Sequence, residues 1–310
     1  MTDFFNYLIL GLTRGSMYAL IALGYTLVYG VLQLINFAHS EVFMTGAFGS
    51  YLLVHFVVGD GTGTASWQVP FIIVMGMLMG ALTSACVAWT LERVAYRPLR
   101  RRGAPKLAFL ISAIGASFFL STLVGKLFNS QTSNQFPVFF DHNHTLFTID
   151  GANVRVLQVV LVLSAVAVMV FLDRLVSLTK LGRSIRAVSE DAPTAALMGI
   201  DIDKTISRTF VIGGLLGGFA GFLFGLNYSF GFNMGFAPGI KAFAAAVLGG
   251  IGNIRGAMLG GLILGIVENL VLLIPGFTAN WTDVVAFVVL VGVLMFRPTG
   301  LLGERVGRAA

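Results

Sequence analysis

The chain has little charge. Asp, Glu, Lys and Arg make up 11% of its 310 residues, against about a quarter in an ordinary soluble domain. A soluble fold with so few charged side chains could not cover its surface, so lipid must be the solvent for much of it. Cysteine is nearly absent. Cys86 sits alone inside an apolar run, which excludes an internal disulfide framework and reads as a small buried hydrophobe. The opening Met-Thr-Asp lacks the basic start of a cleaved signal, so the first apolar segment is expected to stay as a membrane helix.

Catalytic patterns are lacking too. A phosphate-binding loop needs Gly-x-x-x-x-Gly-Lys-Ser/Thr, and Gly125-Lys126-Leu127 lacks both the hydroxyl residue and the earlier glycine. Gly250-Ile251-Gly252 starts a dinucleotide-like pattern but runs into Arg255. Asp141-His142-Asn143-His144 reads as an external polar loop rather than a metal site. With one cysteine and four histidines, no nucleophile constellation is in view, and an enzyme is not expected.

Apolar residues are plentiful, at 56% of the chain, with mean hydropathy +0.88. They fall in runs at about 7–32, 41–58, 70–91, 107–127, 156–174, 207–229, 239–252, 256–274 and 281–297. A membrane β-barrel needs alternation, and stretches such as 156–172 and 284–296 do not alternate. The expectation is an all-α polytopic membrane bundle forming a single domain over 1–310. It has room for about eight spans of about 20 residues each. The run at 239–252 is short for a span, and 41–58 is expected to be partly re-entrant.

The net charge of +6 matters less than where the positive residues sit. They crowd the connection after the third run (Arg93 to Lys106), the connection after the fifth (Arg174 to Arg208), Arg255 and the C-terminal end. If these are inside, only Arg14, Lys126, Arg155 and Lys241 of the 20 basic residues lie elsewhere. The 128–154 connection carries Asp141 and Asp150 and no basic residue. This positive-inside pattern puts the N-terminus outside and the C-terminus in the cytoplasm. Arg14 and Lys126 are expected to snorkel to an interface.

Glycine is abundant, at 38 residues, and often four apart: Gly213, Gly217, Gly221 and Gly225; Gly11 and Gly15; Gly256 and Gly260. Such spacing lets membrane helices approach closely. Two stretches also match at an offset of 199 residues, Phe37 with Phe236 and Ala38 with Ala237, each before a short Gly/Ala/Phe-rich segment. Opposite orientation of the preceding spans would make this an inverted repeat of interrupted helices, the pattern that marks a central substrate path. Candidate pathway residues are therefore Gln33, Asn36, Phe37, His39 and Glu41 near the first break, and Phe236 near the second. Glu268 and Asn269 join them as polar groups within a span.

The connection at about 175–207 carries both signs of charge. Ser189-Glu190-Asp191 before Pro193 is a helix start and Gly199 a stop, so a short amphipathic helix is expected over about 191–198. It reads either as a plain surface helix or as a docking element for a cytoplasmic protein.

This stretch, EDAPTAALMG at 190–199, resembles the coupling loop of ATP-binding-cassette importer permeases. GSMYALIALGYTLVYG at 15–30, INFAH at 35–39, KAFAAAVLGGIGN at 241–253 and RPTGL at 297–301 resemble LivH-type permeases of branched-chain amino acid importers. The motifs occur in order over nearly the whole chain. The resemblance implies a multi-pass protein of the bacterial or archaeal inner (plasma) membrane that moves amino acids inward by alternating access. It implies a second similar permease, two cytoplasmic ATPase subunits that bind the ATP and Mg, and an external substrate-binding protein. No cofactor is implied on this chain. It also assigns ATPase coupling to Arg186, Glu190, Asp191, Ala192, Pro193, Ala195, Ala196, Leu197 and Gly199. Permeases for urea or other amino acids share much of the pattern. A secondary transporter coupled to protons or sodium through Glu41 or Glu268 is the competing class.

Overall fold

The computed structural model describes residues 2–34, 36–59, 68–128, 134–136, 145–149 and 151–303. The tetrad at 141–144, Asp150, Arg305 and Arg308 lie outside the described residues. Twelve α-helices follow in order: α1 (Thr2–Leu32), α2 (His39–Val58), α3 (Val69–Leu91), α4 (Arg97–Arg101), α5 (Lys106–Leu127), α6 (Val156–Leu178), α7 (Lys180–Glu190), α8 (Ala192–Leu197), α9 (Ile202–Asn227), α10 (Phe236–Gly249), α11 (Ile254–Leu270) and α12 (Thr282–Phe296). One antiparallel hairpin, β1 (Thr145–Ile149) with β2 (Ala152–Arg155), leads into α6.

Local chemistry sets the boundaries. Pro70 occupies the first turn of α3, where a missing N–H costs nothing. Asn253 caps α11 by accepting from the Gly256 N–H at 3.0 Å, and Asp201 caps α9 through the Lys204 N–H at 2.9 Å. A π-turn at Glu92–Tyr96 carries α3 on into α4, so the pair forms one long rod.

Among the described residues, eight helices are long and apolar enough to cross a membrane, as expected. The run at 41–58 is a full 20-residue helix, α2, and the short element is the one expected from 239–252, α10, with 14. Polar contacts identify one face of the bundle. On it Gln33 meets α7, Arg97 and Arg100 meet Asp203, Arg255 meets Asp173, and Asn253 meets Leu302. The end of α1 and the 299–303 segment thus share a face, while the start of α1 is a helix length away. α10 is a further apolar helix, shorter than the eight.

The core is built from close backbone approach. A methyl group on Gly15 would fall 2.9 Å from the Gly261 carbonyl on α11, and one on Gly214 would fall 2.8 Å from Ala85 on α3. Glycine is the residue that allows such contact. The Gly217 and Gly221 stripe lies against α2, and Gly256 and Gly260 lie against α10. α1 packs on α11 as α9 packs on α3. α2 packs on α3 and α9 as α10 packs on α11 and α1. Because α1 ends on the face where α9 begins, the two triplets are inverted copies. The outer helices bury little: α12 and α5 expose about half of their apolar side chains and fully bury few. Cys86 is exposed, contrary to expectation, because it lies off the buried face of α3, which is formed by Ile72, Gly76, Gly80, Ser84, Ala85 and Ala88.

Candidate functional site

Both breaks in the repeat lie at the centre. After α1 the backbone turns at Gln33, whose φ of 51° is left-handed, and climbs back so that α2 starts beside the middle of α1. His39, the first residue of α2, fills the space left by Gly24. Asn36 stabilises the turn, accepting from the Ala38 N–H at 3.1 Å and from the Tyr96 hydroxyl at 2.6 Å. The second break, before α10, enters from the opposite face. The two meet where Gly239 lies against Ser40 and Gly235 against Glu41.

A cavity of about 790 Å³ opens beside this meeting point. Tyr25, Phe37, Ser40, Glu41 and Phe236 line it. α5 contributes Ser117, Ser121 and Thr122, and the turn before α10 contributes Phe232 and Asn233. Of the sequence candidates, the structure therefore brings together Phe37, Glu41 and Phe236. Gln33, Asn36, His39, Glu268 and Asn269 do not line the cavity. Gln33 is on the α7 face, donating to the Ser189 carbonyl at 2.8 Å. Asn269 donates to the Gly265 carbonyl within its own helix.

Glu268 forms a separate buried cluster. Its carboxylate accepts from the Tyr18 hydroxyl at 2.9 Å and pairs with Lys241 at 2.6 Å, and Lys241 also reaches Asp283. Arg14 is half-buried near the same cluster. Lys126 is exposed. The α5 contribution was missed from sequence. Its signal is present, since Ser117 and Ser121 stand four apart on a mostly apolar helix.

The loop between α6 and α9 contains two helices. α8 matches the expected short helix: Asp191 caps it through the Thr194 N–H and hydroxyl, Pro193 lies in its first turn, and Gly199 ends it at φ +82°. α7 was not expected, yet Leu181, Ile185 and Val188 at helical spacing already signal it. Ile185 and Val188 are buried, while Arg186 and Glu190 face out. On α8, Ala195 is buried against the bundle; Pro193 and Ala196 are exposed and Ala192 half-buried. Leu197 is 88% exposed and Met198 79%. A shallow groove of about 530 Å³ between α7 and α8 is lined by Arg186, Glu190, Asp191 and Met198, among others. Nearby, the Lys204 N–H and ammonium hold the Asp201 carboxyl below its usual range.

A central cavity at paired half-breaks, with an apolar knob projecting from one face, is the layout of a transport subunit driven from outside. A family model for the permease component of branched-chain amino acid transport systems matches residues 7–294. The high-affinity branched-chain amino acid transport permease BraD of Pseudomonas aeruginosa is 40% identical over 310 residues, covering 98% of each chain. LivH of Salmonella typhimurium is 39% identical over 297 residues, covering 95% of this chain and 94% of its own. Among solved structures, an inward-facing metal-chelate-type ABC transporter aligns with a TM-score of 0.51 at 16% identity, over 94% of this chain and 85% of that one. That last likeness concerns the fold alone. This chain is a multi-span membrane protein that belongs to the family of permease components of branched-chain amino acid transport systems.

Proposed function

We propose that this chain is one of two similar permease subunits of an ATP-driven importer, and that the cavity at Glu41 is part of the path of a branched-chain amino acid. In this reading two ATPase subunits bind and hydrolyse the ATP, and an external binding protein delivers the substrate. The observation that carries the reading is α8. It presents Leu197 and Met198 to solvent on the bundle face that holds most of the basic residues. Exposed apolar side chains beside a polar groove are a place for a partner. The basic residues make this the cytoplasmic face, with the N-terminus outside and the C-terminus inside.

The mechanism follows from connectivity. A partner that moves α8 moves α7, and α7 is joined to the end of α1 by the Gln33 hydrogen bond and packs on α9. Both connections lead to the half-breaks, so rocking of α1 and α9 would open the cavity to one side at a time. The lateral cavity wall at Ile114, Phe118 and Phe236 is exposed, which suits closure by a second permease.

The test is an affinity pull-down of the tagged chain from native membranes in mild detergent, with partners identified by mass spectrometry. Recovery of ATPase subunits and a second permease, lost when 190–199 is replaced by a Gly/Ser linker, supports the reading. A chain that purifies alone and transports in liposomes on an ion gradient overturns it in favour of a secondary transporter.

A further inference from the structure

Two repeat-related pairs line the cavity together, and they differ in kind. Phe37 and its repeat partner Phe236 both line it. Ser40 and its partner Gly239 touch at the centre. The next pair is Glu41 and Ile240, both lining the cavity, one a carboxylate and the other an aliphatic side chain. The symmetry is broken into one ionic and one apolar wall.

Glu41 is only 3% exposed. Its Oε1 accepts from the Ser117 hydroxyl at 3.3 Å, and its Oε2 has no hydrogen-bond partner among the described residues. Among the described residues, neither Lys nor Arg lines the cavity. A carboxylate inside a membrane protein with one weak donor is under-satisfied, and a buried charge of this kind calls for a cation that carries hydrogen-bond donors. Gly235 keeps the space beside Oε2 open, because a methyl group there would meet this oxygen at 2.6 Å.

We propose that Glu41 receives the α-ammonium group of a zwitterionic, apolar amino acid in transit, while Ile240 and the phenylalanines take its aliphatic side chain. The inference rests on the importer reading above and names the group that recognises the substrate within it. A primary ammonium supplies full positive charge and three donors, enough for both carboxylate oxygens. The Asn233 amide and the Ser121 and Thr122 hydroxyls are donors for the ligand's own carboxylate. Urea is neutral and leaves Glu41 uncompensated, so the site favours an amino acid over urea. A cavity of about 790 Å³ holds such a ligand with water to spare.

The experiment uses the whole importer with its binding protein in proteoliposomes, with L-leucine as probe. A Cys86→Ala background leaves an engineered thiol as the single one in this chain. Glu41→Gln is expected to lower leucine uptake by about tenfold or more, the cost of losing a charged hydrogen bond, with the assembled complex recovered in normal yield. Glu41→Cys is expected to be similarly impaired. A sulfonate-bearing methanethiosulfonate should restore part of its uptake, and an ammonium-bearing one should not. Unchanged uptake by Glu41→Gln, or equal effects of the two reagents, overturns the assignment of Glu41 alone. A wild-type complex that moves no leucine, isoleucine or valine overturns the importer reading as well. Uptake that needs a proton gradient instead of ATP makes Glu41 a proton site and overturns the ammonium assignment.

Discussion

Ser40 and Gly239 touch at the centre of the bundle, and they are the same position in the two inverted copies. A methyl group at 239 would collide with the Ser40 Cβ. Gly239→Ala is therefore expected to push α10 off α2 and destabilise the protein by about 1–3 kcal/mol, as overpacking does. Ser40→Gly in the same chain should recover most of the loss. Thermal unfolding in detergent of the single and double variants checks this; no recovery would mean that the two half-helices do not meet there.

The Lys241–Glu268 pair ties α10 to α11 behind the cavity wall. Lys241→Met strands the fully buried Glu268 with the Tyr18 hydroxyl as its one remaining partner. The expected cost is about 3–5 kcal/mol, and replacing both residues with Met should cost less than removing Lys241 alone. Midpoints of denaturation for the three variants decide it. If the double variant is as unstable as Lys241→Met, the pair is not what holds α10.

Leu197 and Met198 are exposed and have little to lose in the isolated subunit. Leu197→Asp with Met198→Asp should change its stability by less than about 0.5 kcal/mol per substitution. Co-purification of ATPase subunits should nevertheless disappear. Retained ATPase binding would remove α8 from the docking surface.

Gln33 joins α1 to α7 through one hydrogen bond from a left-handed backbone. Gln33→Ala removes the bond and keeps the strain, whereas Gln33→Gly removes both. Both should lower the amount of amino acid moved per ATP hydrolysed, by about two- to tenfold for one hydrogen bond. Gln33→Gly should be the more stable of the two. Equal coupling ratios in wild type and variants would show that motion reaches the centre through α9 instead.

Much of this protein was legible from its residues in order. Long apolar runs without alternation leave the membrane helix as the one way to satisfy the backbone, so spans and their number could be read directly. Basic residues cluster where translocation is costly, so the face bearing Arg97, Asp203 and Arg255 was marked before any contact was known. Local caps did the same for α8, since Asp191, Pro193 and Gly199 act within a few residues of one another.

Contacts between distant segments were not legible. Glu41 and Glu268 are both acids in apolar surroundings, and nothing in order along the chain separates them. Folding does so, by bringing Lys241 to Glu268 and leaving Glu41 Oε2 without a partner among the described residues. The short run at 239–252 was visible in the hydropathy, but the depth at which α2 begins was not, because depth depends on where the chain breaks and what it lies against. The glycines announced close packing, but which helix each one meets was decided only when α1 met α11 and α9 met α3. Sequence order governs propensity, caps and solvent. Partnership among buried polar groups is a property of the folded bundle, because it depends on distances that only packing creates.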